Sequence, residues 1–457
     1  MAVEEAGAEA SNRDPQAGTE GDAGEDAAMH VEEATGGGET GEALWSQFHG
    51  HVPGRFVPYS AAAGAFRGGK LENNFLKTCR WSPDGLCVFA STEDNQIRVF
   101  ELPQDADCGE KWAPGHDQMK PVLSVLEGET IYDAAWLPTM SSSDPASCLF
   151  FSTSRDNPVH IWDAFTGACQ GSYCAYTDAE ELTAGYSVGF DNRAPYIYVG
   201  FNNQIRVYAI DRPGRQHTSI KTFKRANRET TGQRGIVSCI SFNPDKSGLF
   251  AAGSYSRNVG LYDGGTGKLL YNLQGHRGGV TQAEWSRDGQ YLFTGGRKDD
   301  EILCWDVRNT GDVLLRLPRA VTTNQRILFD LDHSGRFVIT PSLSSDPSLL
   351  VYDLWAQVGE AGAEPVARVP CPALANGVQI HPTLPLLAVS TGARRFPLPG
   401  EDEDDAAAAA AAAGGKRARG EEEAKCTDAG EQEGEAGPFD SALLLMRYPL
   451  DAAAVTA

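Results

Sequence analysis

No run of about 18 apolar residues occurs in the 457-residue chain, so no membrane-crossing helix is expected. The opening residues Met1-Ala2-Val3-Glu4-Glu5 carry neither a basic stretch nor an apolar run, so a secretory leader is not expected either. Ten cysteines are present, but none stands in the C-x-x-C pairing that a structural zinc site uses. Cys79, Cys87, Cys239 and Cys304 instead fall inside apolar strand patterns, as reduced core residues of a cytosolic or nuclear protein would. The patterns H-E-x-x-H, G-x-S-x-G and D-F-G are missing, and His, Cys and carboxylates do not cluster at ligand spacing. Neither enzyme activity nor a metal or cofactor is therefore expected. Gly264-Gly265-Thr266-Gly267-Lys268 comes nearest to a phosphate loop and fails. Tyr262 takes the place of the first glycine and Leu269 follows the lysine. A hairpin turn is the simpler reading.

Two stretches are short of aromatic and branched apolar residues. Residues 1–44 are rich in Glu, Ala and Gly and cannot bury enough area to offset chain entropy, which predicts a disordered acidic tail. Residues 401–437 repeat the pattern, with Glu401-Asp402-Glu403-Asp404-Asp405, an alanine run, and Lys416-Arg417-Ala418-Arg419 as a weak nuclear-import signal. Strand-like residues resume at Leu443-Leu444-Leu445-Met446, so this segment reads as a disordered insertion within the last repeat. Such an insertion costs little, because loop-closure entropy grows only logarithmically with length. Of the net charge of −23, residues 1–70 hold 12 acids against 4 bases, and residues 401–440 hold 13 against 4. The remainder is close to neutral, so the overall acidity does not exclude a basic face.

Between these stretches the chain repeats itself. A first-strand landmark recurs at Trp81, Trp136, Phe190, Phe242, Trp285, Phe329 and Ile380. A third-strand landmark recurs at Phe100, Trp162-Asp163, Tyr208, Tyr262-Asp263, Trp305-Asp306 and Tyr352-Asp353. Intervals of 43 to 62 residues match a propeller blade with loop insertions. One four-stranded blade cannot bury both faces, whereas seven stacked around an axis bury each other and leave short protected edges. The prediction is an all-β, seven-bladed WD-repeat β-propeller over 71–400. A last-blade strand and C-terminal tail follow at 438–457, and a lead-in segment precedes the propeller at 45–70. Closing the ring needs a strand from before Trp81. Trp45-Ser46-Gln47-Phe48 and Arg55-Phe56-Val57 are both candidates.

His276, with Asp299 or Asp300 and Trp305, has the look of the structural hydrogen-bond set of a WD repeat, and Trp162-Asp163 is the matching pair three blades earlier. The turns between second and third strands open on one face of a propeller. Four blades place bases there: Arg155, Arg257, Arg297-Lys298 and Arg394-Arg395. Loops leading into the first strands open on the same face and add Lys224, Arg225, Arg228, Arg234 and Arg277, with Thr323-Asn324-Gln325-Arg326 leading into blade six. A face so lined attracts a phosphate backbone. The plainer alternative is a solvated rim with structural pairs such as Arg155–Asp156.

Several strings are more particular than a WD-repeat pattern requires. They include Glu127-Gly128-Glu129-Thr130-Ile131-Tyr132-Asp133, His160-Ile161-Trp162-Asp163-Ala164-Phe165-Thr166-Gly167 and Arg212-Pro213-Gly214-Arg215. Val321-Thr322-Thr323-Asn324-Gln325-Arg326-Ile327 and His381-Pro382-Thr383-Leu384-Pro385-Leu386-Leu387-Ala388 follow further on. From about Asn74 to Phe396 the chain resembles the telomerase Cajal body proteins, WD-repeat proteins that bind Cajal-body small RNAs. The alanine-rich tails depart from that family.

The resemblance implies a non-enzymatic scaffold for the CAB-box loop of small Cajal-body RNAs and of telomerase RNA, resident in the nucleus and the Cajal body, with a role at telomeres. It implies as partners the dyskerin-containing H/ACA ribonucleoprotein and the telomerase holoenzyme. Coilin, the survival-of-motor-neuron complex and DNA-repair factors complete the set. On the residues themselves, Asn324, Gln325 and Arg326 are the expected base readers, and Arg155, Arg257, Arg297 and Lys298 the expected backbone contacts. A rival reading is a substrate receptor of a cullin ubiquitin ligase, since Trp305-Asp306-Val307-Arg308 fits the short W-D-x-R docking pattern.

Overall fold

Short apolar runs bounded by Gly, Asn, Asp and Pro turns give strands rather than helices. In the computed structural model, described for residues 57–66, 74–103, 119–193, 195–226, 229–356, 363–394 and 441–447, these runs form seven four-stranded antiparallel sheets. Residues 1–44, 401–437 and the base cluster at 416–419 lie outside the described residues. In blades one to six the strands follow chain order across the sheet. Blade one is Leu76–Trp81, Cys87–Thr92, Gln96–Glu101 and Leu123–Leu126. First strands of neighbouring blades lie against one another around the axis. A two-stranded hairpin, Phe223–Ala226 with Glu229–Gly232, stands between blades three and four.

Blade seven takes Ala375–Ile380, Leu386–Thr391 and Leu443–Arg447 from one end of the described chain, and Val57–Ala62 from the other. Ala62 pairs with Leu443 and Val57 with Arg447. The closing strand therefore shares only Val57 with the Arg55–Val57 candidate, and the Trp45–Phe48 candidate lies outside the described residues. Pro58 sits on this edge strand beside an irregularity in register, where a missing N–H breaks little of the ladder.

Each gap between blades has its own apolar core, seven in all. Phe89, Ile97 and Val99 of blade one meet Trp136 and Phe150 of blade two. Ala62, Leu443 and Leu445 of blade seven meet Leu76, Trp81 and Phe100 of blade one, which closes the ring. Cys79, Cys239 and Cys304 are buried in these gaps, and burial pushes their thiols up to about 12, so they act as small packing groups.

The first-strand landmarks join one blade to the next. The indole N–H of Trp136 donates to Arg80 O at 3.0 Å, that of Trp285 to Ser241 O at 3.0 Å, and that of Trp81 to Gln379 O at 3.2 Å. In blade six the landmark is displaced. Gly289 after Trp285 and Gly335 after Leu331 close matching turns at φ 68° and 69°, so the equivalent of Trp285 is Leu331 and not Phe329. Phe329 is instead clasped by Gln282, whose amide both accepts from its N–H at 2.9 Å and donates to its carbonyl at 2.7 Å.

Within blade five, His276 Nδ1 lies 2.7 Å from Asp299 Oδ2 and its Nε2 lies 2.8 Å from Thr294 Oγ1, which also accepts from Trp305 Nε1 at 2.8 Å. Burial works against the Asp299 charge. His276 and the amides of Gly278 and Arg277 nevertheless hold its carboxyl below the ordinary range. Asp300 is exposed and serves elsewhere, accepting from Val321 N at 3.2 Å. Blade two builds the same network from other residues. Trp162 donates to Ser152 Oγ at 2.7 Å, and Glu127 accepts from Ser152, Ser154 and His160. Asp163 faces the opposite end of the strand, where it accepts from the amides of Phe165 and Thr166 at 2.8 and 3.0 Å.

Candidate nucleic-acid interface

The turns between second and third strands define the upper face. Five of them carry one non-glycine residue at positive φ: Asn95 (62°), Asp156 (56°), Asn203 (60°), Arg257 (69°) and Lys298 (49°). Asn and Asp reach this region at small cost because their short side chains bond locally. Arg257 and Lys298 gain no such relief, and both side chains are exposed. A strained backbone position retained for an exposed cation points to a use for the cation.

Arg155 is exposed on the turn of blade two, with Nε 3.4 Å from Tyr132 Oη in place of the Asp156 pairing that the sequence suggested. Arg297 is half-buried and lies over the Tyr255 ring at 4.0 Å. Lys298 N donates to Thr323 O at 3.1 Å, which brings this turn beside Asn324 and Gln325. Asn324 is exposed and Gln325 half-buried. Arg394 pairs with Glu93 at 3.6 Å, and Arg395 and Arg228 lie outside the described residues. Arg234 and Arg277 are exposed. Lys224 departs from the set: it lines a separate groove with Tyr196, Thr218 and the Gly264–Gly267 turn.

Arg326 also departs from its expected place as an open base reader. Its terminal nitrogens donate to Tyr132 O at 2.6 Å, Thr281 O at 3.1 Å and Ser238 O at 3.2 Å, tying blades two, five and four to blade six. Its carboxylate partner is Asp133 at 3.4 Å, not Asp330 or Asp332. Burial opposes the guanidinium charge, and Asp133, Tyr255 and Cys239 together outweigh it, so its pKa is raised.

Asn324, Gln325, Arg326 and Arg155 line a cavity of about 260 Å³ at the upper mouth of the central channel, together with Tyr132 and Tyr255, whereas Arg257, Arg297 and Lys298 are not in its wall. The tyrosines were not anticipated from sequence. Tyr255 stands one residue past the second strand of blade four, the same position as Arg155 and Arg297 in their blades, and aligning those turns would have found it. Among the described residues, no group of three or more His, Cys, Asp or Glu side chains could hold a metal ion.

Seven sheets in a ring, with a His–Asp–Thr–Trp network and indole links between blades, define a WD-repeat propeller. Residues 68–101, 224–263 and 267–306 match the WD domain, G-beta repeat family. Telomerase Cajal body protein 1 of Bos taurus is 42% identical over 396 residues, covering 86% of this chain and 70% of that protein. Its counterpart in Mesocricetus auratus is 42% identical over 371 residues, 81% of this chain and 66% of that protein. The telomerase Cajal body protein 1 homolog of Drosophila melanogaster is 32% identical over 330 residues, 71% of this chain and 58% of that protein. The chain belongs to the telomerase Cajal body protein family. It spans about two thirds of the length of the vertebrate relatives it matches.

Proposed function

We propose that this chain is a non-enzymatic RNA-binding scaffold of Cajal-body small ribonucleoproteins and telomerase. Its upper face holds the CAB-box loop of small Cajal-body RNAs and of telomerase RNA. The observation that carries this reading is the pair Arg257 and Lys298, exposed cations kept at φ 69° and 49° on the same class of turn as Arg155 and Arg297. A cation that contacts phosphate releases counterions, so such a rim gives affinity that falls steeply with salt. Relatives named for telomerase and the Cajal body support the choice of RNA and a nuclear, Cajal-body location. Dyskerin-containing H/ACA particles, coilin, the survival-of-motor-neuron complex and repair factors at telomeres are the partners that follow.

The cullin-receptor reading draws less support. Arg308 of the W-D-x-R string donates to Asp306 Oδ1 and Oδ2 at 2.9 and 2.7 Å and lies over Tyr291 at 5.5 Å, so its guanidinium is engaged within its own blade. The test is capture of the full chain from nuclear extract, with RNA sequencing and protein identification. The expected result is enrichment of small H/ACA RNAs, lost when Arg155, Arg257, Arg297 and Lys298 are together replaced by Ala. Recovery of a cullin and its adaptor without enriched RNA would overturn it.

A further inference from the structure

A phosphate backbone asks only for cations along a rim, yet the upper mouth offers more. The cavity of about 260 Å³ is smaller than the roughly 300 Å³ at which pockets for drug-sized ligands begin. Two tyrosines in its wall are braced from behind. Tyr132 packs against Tyr186 with ring centroids 5.1 Å apart, and Tyr255 lies beneath the Arg297 guanidinium at 4.0 Å. Lys77 Nζ apart, which is ion-paired with Glu93, the same wall carries three buried polar atoms with no hydrogen-bond partner among the described residues: Gln325 Nε2, Arg326 Nε and Asn376 Oδ1.

Asn376 is only 1% exposed. Its amide nitrogen donates to Leu76 O at 2.8 Å and Gly392 O at 2.6 Å, which fixes Oδ1 as the remaining acceptor. Buried polar groups are normally satisfied, so two donors and an acceptor left over on one wall describe the complement of a ligand edge. A flat molecule with a donor beside an acceptor, and faces suited to tyrosine, matches that complement. A nucleobase splayed from a single strand is such a molecule.

We propose that the cavity takes one unpaired nucleobase of the bound RNA, held between the Tyr132 and Tyr255 side and the polar edge of Gln325 and Asn376. This rests on the RNA-binding reading above. Rim cations hold the phosphates on either side of the inserted nucleotide, and Arg326 keeps the blades around the cavity in register.

The test uses the full chain and a labelled single-stranded RNA of mixed sequence, with an abasic site walked along it one position at a time. One abasic position is expected to cost about tenfold or more in affinity, the scale of a lost base–aromatic stack. That penalty should shrink in Gln325→Leu, and again in Tyr255→Ala, whose half-buried ring on a surface turn can be removed without opening a blade core. Melting curves establish that each variant is folded. Salt-dependent binding that ignores abasic sites at every position would overturn the pocket and leave the RNA scaffold standing. A penalty of equal size in both variants would place the base elsewhere and also overturn it. Absence of RNA binding by the unsubstituted chain would overturn the scaffold reading, and the pocket with it.

Discussion

The two mouths of the central channel are built by one repeat and differ in how their carboxyl groups are partnered. At the upper mouth each carboxylate is answered by a cation, Glu93 by Lys77 at 2.8 Å and Asp133 by Arg326 at 3.4 Å, with further bases on the turns outside. At the lower mouth a cavity of about 380 Å³ is lined by Glu284, Asp330, Arg287, His333 and Gln379. Glu284 and Asp330 are partly open to the channel but enclosed by protein, and that enclosure pushes both carboxyls up. Asp330 rises to about 8, with repulsion from Glu284 adding to the burial. Paired charges line one end, and carboxyls that burial keeps from ionising line the other. The propeller therefore provides a frame, and the first-strand and turn side chains decide what each end admits.

The largest expected effect breaks the upper mouth. Arg326→Ala leaves the carbonyls of Tyr132, Ser238 and Thr281 without their donor and Asp133 without its cation. A loss of about 3 kcal/mol in urea denaturation is expected, because a mostly buried charge then stands unpaired. A change below about 1 kcal/mol would show that Arg326 does not hold the blades together.

An intermediate effect belongs to the lower mouth. The folded-state pKa of Asp330 lies at about 8, above its unfolded value near about 4, so the native state holds the proton more tightly. Its contribution to stability is full below pH of about 4 and declines as pH rises toward about 8. Asp330→Asn should flatten the stability profile across that window and gain most at its alkaline end. Melting temperatures followed across the window check this, and an unchanged slope would contradict it.

The smallest effect sharpens the contrast. Lys298→Asn relieves a positive-φ position, and a gain of about 0.5–1 kcal/mol is expected. The same change should weaken all RNAs alike and lower the salt slope by about one. Stability gained with RNA affinity untouched would remove Lys298 from the interface.

Much of the architecture was legible because it rests on local patterns. Landmark aromatics such as Trp136 and Trp285 recur where an indole reaches the preceding blade, and short apolar runs bounded by turns mark the strands between them. Blade six misled by two residues, since Leu331 carries no indole and the nearby Phe329 has the right chemistry in the wrong register. The site was less legible. Arg155, Arg257 and Lys298 could be placed on one face, because turns between given strands always open on the same side. Arg326 could not be told from them, as its partners lie 45 to 194 residues away on three other blades. Glu127 in blade two was hidden for a related reason: it does the work of His276 and Asp299 with a different residue type in a different order.

The strand Leu443–Arg447 lies inside its sheet, between Leu386–Thr391 and Val57–Ala62. Its alternating side chains serve two gaps at once, Leu444 and Met446 facing blade six and Leu443 and Leu445 facing blade one. On the ribosome, then, Val57–Ala62 emerges among the first of the described residues and has no edge to join until residue 447 is free. From the completion of blade six at residue 370 until then, six blades stand as an open arc, with an unpaired strand at one end and two half-built cores exposed to other chains. Five late residues turn that arc into a ring.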